Sequence, residues 1–219
     1  MAAAQGHLAD GANSADDPDD DGTPVSFRKA VESLRGARLR PEMEIDPTKA
    51  PQRLAPFAYA LEAAVVVDDE ELADGRLVLL HDPDGQDSWQ GTFRLVTLAR
   101  AELEPELADD PLLPEVCWSW LTGALDARGV AYGEPSGTVT RAGSYYFGGM
   151  SDRPPTSRLE LRASWTPREP VGGGVPDLGA QLAAWSDLLC QCAGLPPVTV
   201  DHGPRGGVVP LPQRRGPQR

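Results

Sequence analysis

Apolar positions recur at helical spacing in three stretches of the chain. The first opens at Thr23-Pro24, a capping residue and a proline suited to the first helical position. Phe27, Ala30, Val31 and Leu34 then fall at i, i+3, i+4 and i+7, and Gly36 weakens the helix. In the second, Asp110 can cap and Pro111 start a helix that aligns Leu113, Val116, Cys117, Trp120, Leu121, Ala124 and Leu125. Arg128 suits its last turn and Gly129 its left-handed stop. The third opens near Asp177 and aligns Leu178, Leu182, Trp185, Leu189 and Cys192. It stops at Gly194, before Pro196-Pro197.

A period of two dominates elsewhere. Residues 41–56 contain Pro41, Pro47, Pro51 and Pro56 and read as an extended connection, with room for a short edge strand at Met43–Ile45. In 57–67, Val65, Val66 and Val67 and the alternation Phe57, Tyr59, Leu61 favour a strand, against the Ala/Leu/Glu content of 58–64. Asp68–Asp74 reads as an acidic connection, 76–81 as a short apolar strand, and Asp82-Pro83-Asp84-Gly85 as a turn. Residues 92–103 form a long strand with Phe93, Leu95, Ala99, Ala101 and Leu103 on one face and Arg94, Val96, Leu98, Arg100 and Glu102 on the other. Two more strands follow the second helix, at 138–147 and 158–166. In the latter, Leu159, Leu161, Ala163 and Trp165 alternate with Arg158, Glu160, Arg162 and Ser164. Gly172–Gly174 reads as a flexible hinge.

The order helix, three strands, helix, two strands, helix predicts an α+β fold: an antiparallel sheet of about five strands with three helices packed on it. Both faces of the central strands carry apolar residues, Val78, Leu80, Val96 and Leu98 among them, so both want cover. Three helices can supply it; otherwise a second copy does, which motivates a homodimer.

Charge redraws the boundaries. The 219 residues carry a net charge of −13. Residues 1–22 hold six Asp and no Lys or Arg, and residues 203–219 hold four Arg and no acid. Both ends are too poor in large apolar side chains to offset the entropy of ordering, so they read as disordered tails around a single domain at 23–202. Setting aside the −6 and +4 of the ends leaves −11 for the middle. Such acidity argues against nonspecific nucleic-acid or membrane binding. A nucleic-acid role would need the locally basic first helix and the Arg-rich end. Asp16–Asp21 could instead fold back on Arg28, Lys29, Arg35 and Arg38 of that helix, an exposed and salt-screened attraction. No apolar run reaches the roughly 18 residues of a membrane span, and the N-terminus lacks signal-peptide character. The three cysteines, Cys117, Cys190 and Cys192, are odd in number and lie in helical patterns. The expected setting is a reducing cytoplasm. Eighteen Arg against two Lys, with much Ala, Gly and Pro, fits a GC-rich genome.

Catalytic and cofactor signals are thin. There is no G-x-S-x-G, Walker A or G-x-G-x-x-G motif. No catalytic residue, metal ligand set or cofactor is assigned. His81, beside Asp82, is the one histidine within about residues 24–197; it can orient as a base, but no nucleophile is visible near it in sequence. Asp82, Asp84, Gly85 and Asp87 resemble part of a calcium loop, at the wrong spacing and without the bidentate Glu. The binding candidates are Arg94, Arg100, Arg158 and Arg162, which alternate away from the apolar faces and could line one sheet face as an anion or acidic-peptide site, with Arg141 as an adjunct. The competing reading is a solvated face interleaved with Glu102 and Glu160.

Several strings together carry a resemblance: PQRLAPFAYALEAAVV, GRLVLLHDP, WQGTFRLVTLARAELEPELADDPLLPEVCWSWLTGALDARG, SGTVTRAGSYYFGG and AWSDLLCQCAGLPP. Over about residues 24–197 the chain resembles an actinobacterial family known as domain of unknown function 3000. The resemblance implies no activity and carries over no site residue. In element order the chain is also similar to type III secretion chaperone-like folds, an analogy of topology. The expected function is therefore a non-enzymatic, chaperone-like or protein-binding module, with another protein or a second copy as partner. The alternative is an enzyme or small-ligand binder with a site near His81 and the sheet arginines.

Overall fold

The computed structural model describes residues 22–197. The expected tails fall outside the described residues except for Gly22. The fold is α+β. Its elements are helix α1 (Val25–Arg35), strands β1 (Met43–Thr48), β2 (Phe57–Val67), β3 (Glu70–Gln86) and β4 (Gly91–Leu103), a one-turn helix α2 (Pro105–Ala108), helix α3 (Leu113–Ala127), strands β5 (Tyr132–Ser144) and β6 (Thr156–Pro167), and helix α4 (Leu178–Cys192). The six strands form one antiparallel sheet in the order β1-β2-β3-β4-β6-β5.

Six strands replace the expected five, and four rather than three precede α3. The added strand is β1, which continues through Pro47 to Thr48. A proline is tolerated there because β1 is an edge, where a missing N–H need not break a ladder. Residues 70–74 belong to β3 rather than to a connection. The β2–β3 reversal is confined to Asp68 and Asp69, both at positive φ (52° and 64°); aspartate is among the few residues that enter this region at modest cost. Asp82–Gly85 is not the hairpin turn. It lies within β3, where the register with β4 slips between His81 and Gln86, and the chain reverses at 87–90 instead. Gly85 does take the positive φ, 76°, that its type favours.

Residues facing the helices make the core. Leu61, Leu77, Leu79, Leu95, Leu161 and Trp165 come from the sheet, and Leu34, Leu121, Leu125, Leu182, Trp185 and Leu188 from α1, α3 and α4. Helix α4 fits closest. A Cβ at Gly75 would lie 2.9 Å from both Trp185 and Leu189, so only glycine lets the helix approach β3 there. Trp185 also donates its Nε1–H to Thr97 Oγ1 at 2.6 Å, and Trp165 donates to Gln181 Oε1 at 2.8 Å. These are the partners that buried indoles require. The Asp177 carboxylate caps α4 by accepting from Ala180 N–H, and Gly194 ends it at a φ of 76°. Arg128 and Asp187 join α3 to α4 through two hydrogen bonds of 2.7 and 3.0 Å. Cys117, Cys190 and Cys192 are all free and buried. Burial pushes their thiols up, to about 11, 11 and 12, so all three are inert apolar packing at neutral pH.

Candidate functional site

The three long helices, α1, α3 and α4, lie on one face of the sheet, and the other face is largely open. Strand pairing aligns its side chains in rows. One row reads Asp46, Glu62, Arg76, Leu98, Arg162, Thr138; the next reads Glu44, Ala64, Asp74, Arg100, Glu160, Thr140. Acidic residues thus gather over β1–β3 and arginines over β4 and β6. A hollow of about 480 Å³ lies over the acidic half, between Glu44, Asp46, Glu62, Glu71, Asp74 and Arg100. A second, of about 540 Å³, lies over the basic half. Val78, Val96 and Leu98 line it beside the hydroxyls of Ser136, Thr138 and Ser164, with Arg76 and Arg162 at its sides.

Arg94, Arg100, Arg158 and Arg162 share this open face. Three of them meet carboxylates: Arg100 bonds Asp74 through Nε at 3.0 Å, Arg162 bonds Glu160 at 2.8 Å, and Arg158 lies 4.0 Å from Glu102. Those three fit a solvated, ion-paired face. Arg94 differs. It is 7% exposed, and its bonds go to neutral hydroxyls: Thr166 at 2.9 Å, Ser164 at 2.8 Å and Ser136 at 3.3 Å. Desolvation lowers its pKa, and the charge of Glu134 partly opposes this. Thr166 is itself held, donating to the Trp89 carbonyl. Ser136 and Ser164 stand 3.3 Å apart, so one hydroxyl proton suffices for their mutual bond and the other remains for an acceptor in the hollow. Spacing marked Arg94 as facing away from the core, but its hydroxyl partners come from β5 and β6 and have no local sequence signal.

Arg141 does not join this group. Its side chain lies on the helix-facing side, opposite Leu159, and donates to the carbonyls of Ala108 and Asp110, tying β5 to the end of α2. His81 is also on the helix-facing side, separated from the arginines by the sheet. It is 2% exposed, 4.1 Å from the ring of Phe93 and 6.0 Å from Phe27. Its Nδ1 bonds the Thr92 carbonyl at 2.9 Å and its Nε2 meets Ser26 Oγ at 3.0 Å. Burial holds its pKa below the usual 6.5, against smaller opposing effects of the Thr92 bond and the Asp82 charge. Asp82 spends its carboxylate on Asp84 N–H and Gln86 Nε2. His81 and the sheet arginines therefore cannot form a single pocket.

Among the described residues, no group of three or more His, Cys, Asp or Glu could hold a metal ion, and no helix is long and apolar enough to cross a membrane. No curated protein and no solved structure matches the chain. The family model for a protein of unknown function (DUF3000) matches residues 23–201, most of the chain, and the chain belongs to that family.

Proposed function

We propose that the open sheet face is a protein-binding surface that takes an acidic segment of another polypeptide on its basic half. The observation that carries this reading is Arg94, a buried guanidinium surrounded by hydroxyls rather than by a carboxylate. A desolvated charge with no carboxylate bonded to it is costly, and an anion brought to it recovers part of that cost. The adjoining hollow offers a bed for such a segment: serine hydroxyls relay the charge, Arg76 and Arg162 flank it, and Val78, Val96 and Leu98 suit an apolar neighbour of the acid. Three free, buried cysteines favour a cytoplasmic setting.

Fluorescence anisotropy with a labelled peptide of alternating Glu and Leu tests it. Binding at low salt should weaken as salt rises. Arg94→Met and Arg162→Ala, each checked for folding by circular dichroism, should each lower affinity about tenfold, the equivalent of ~1.4 kcal/mol. No binding at low salt, or binding that both variants leave unchanged, rejects the reading.

A second reading rests on the split of charge across the same face. A two-fold axis parallel to the strands would lay the acidic half of one copy over the basic half of its partner. Light scattering across a salt series decides it: a homodimer dissociates as salt rises, and a monomer at every salt concentration excludes it.

A further inference from the structure

The helix-facing side holds a second polar constellation, unrelated to the arginines. Ser26 is the second residue of α1 and His81 lies on β3, fifty-five positions away, yet Ser26 Oγ and His81 Nε2 are 3.0 Å apart. The tautomer follows from the partners. The Thr92 carbonyl can only accept, so Nδ1 carries the proton and donates it. In the neutral ring Nε2 is then a bare lone pair, and Ser26 must donate its O–H to it. Phe93 and Phe27 stack on the ring and fix its plane. A serine hydroxyl, an acceptor nitrogen and an oriented second nitrogen are the parts of an activated nucleophile. A tie between helix and sheet needs no opening, but this pair has one. Ser26 is only half-buried, and both residues line a hollow of about 450 Å³ walled by Val25, Pro83, Phe93 and Val175. The first turn of α1 adds backbone N–H groups that have no acceptor within the helix.

We propose that Ser26 is a nucleophile that takes an acyl group from a carboxylic ester, with His81 as its base. Ser26 Oγ bonds to the carbonyl carbon while its proton passes to His81 Nε2. The bond from that carbon to the leaving oxygen breaks, and the leaving oxygen takes the proton. Water then repeats the sequence: it gives a proton to Nε2, bonds to the acyl carbon and displaces Ser26, which recovers the proton. The sum is ester and water to acid and alcohol. Nδ1 faces a neutral carbonyl instead of a carboxylate, so the imidazolium gains little support and turnover is slow.

The test treats the full chain with a fluorophosphonate, which phosphonylates an activated serine with loss of fluoride, and follows it by intact mass and peptide mapping. One adduct on Ser26 is expected. Ser26→Ala should abolish it, and His81→Gln should slow it about 100-fold. If His81→Gln does not fold, the pH profile of the native protein decides. The charged groups around His81 and the hollow it lines are Lys29 from α1, Asp82 from β3 and Glu169 after β6, while Phe57 of β2 and Thr92 and Phe93 of β4 bring no charge. Because burial holds the ring's pKa below its usual value of 6.5, labelling should hold past pH 6.5 and decline only as pH falls further. Absence of an adduct on Ser26 after a day in millimolar probe overturns the proposal. So does a rate indifferent both to His81→Gln and to acidification to about pH 5. Either failure leaves the peptide-binding reading of the opposite face standing.

Discussion

The two faces of the sheet solve opposite problems with the same strands. On the helix-facing side, polar groups are few and most are matched: Thr97 with Trp185, Gln181 with Trp165 and Ala131, His81 with Ser26 and Thr92. Among the described residues, Ser186 Oγ is the buried side-chain atom without a partner. On the open side, charges are many and mostly exposed, in pairs that water weakens. Stability therefore belongs to the first face. The second is free to vary its charges, and among the described residues Arg94 is its one deeply buried cation. The β3–β4 hairpin is where the two meet. Trp89 folds over the open side on Ala60, Val78 and Leu80, and its carbonyl anchors the Thr166 hydroxyl that holds Arg94.

The sharpest way to break this contrast is to delete equivalent apolar bulk on each side. Trp185→Ala removes a fully buried indole seated over Gly75 and takes from the Thr97 hydroxyl the donor it accepts from, leaving only its own bond to the Arg76 carbonyl. It should cost about 3–5 kcal/mol in urea unfolding. Leu98→Ala, on the floor of the open hollow, should change stability by about 0.5 kcal/mol or less. Similar losses from the two would mean that the open face is covered in solution and would favour the dimer.

Sequence legibility follows the same division. β6 was readable because one face is buried and the other wet, so Leu159, Leu161, Ala163 and Trp165 alternate with polar residues. Helix α4 was readable because Asp177 and Gly194 punctuate it by local chemistry. Local signals mislead where the tertiary setting overrides them. Pro47 looked like an interruption but lies on an edge, and Asp82–Gly85 looked like a reversal but is an irregular stretch inside a strand that Gln86 continues. The arginine face could be read from parity alone. The Ser26–His81 pair could not, because nothing near His81 in sequence announces a hydroxyl from the first turn of α1.

A smaller effect follows from acidification. The folded pKa of His81 is depressed by burial, so above about pH 6.5 the ring is neutral in both folded and unfolded chains and exerts no pull. Below that value the unfolded chain binds the proton first. Stability present above the unfolded pKa is then lost as pH falls toward and through the folded one, by at most ~1.4 kcal/mol per pH unit. His81→Phe removes this dependence, so its unfolding free energy should show a shallower acid slope than that of the native protein. Equal slopes would mean that His81 is not buried as a neutral ring.

The smallest expected effect is on the open face and tests whether its ion pairs matter to folding at all. Arg100 and Asp74 form a short contact across β3 and β4, but each side chain keeps about a third or more of its exposure, 40% and 34%. Water screens such a pair, and ordering two side chains offsets much of the attraction. Arg100→Ala should therefore lower stability by only about 0–1 kcal/mol, with the loss shrinking as salt is added. Its neighbour in the same row, Glu160, is already engaged by Arg162 at 2.8 Å, so it cannot easily inherit a partner role. A loss well above this range that persists in high salt would show that the pair is desolvated. That would require something to cover the acidic half of the face, and the second copy with its basic half turned toward it is the occupant whose charge fits.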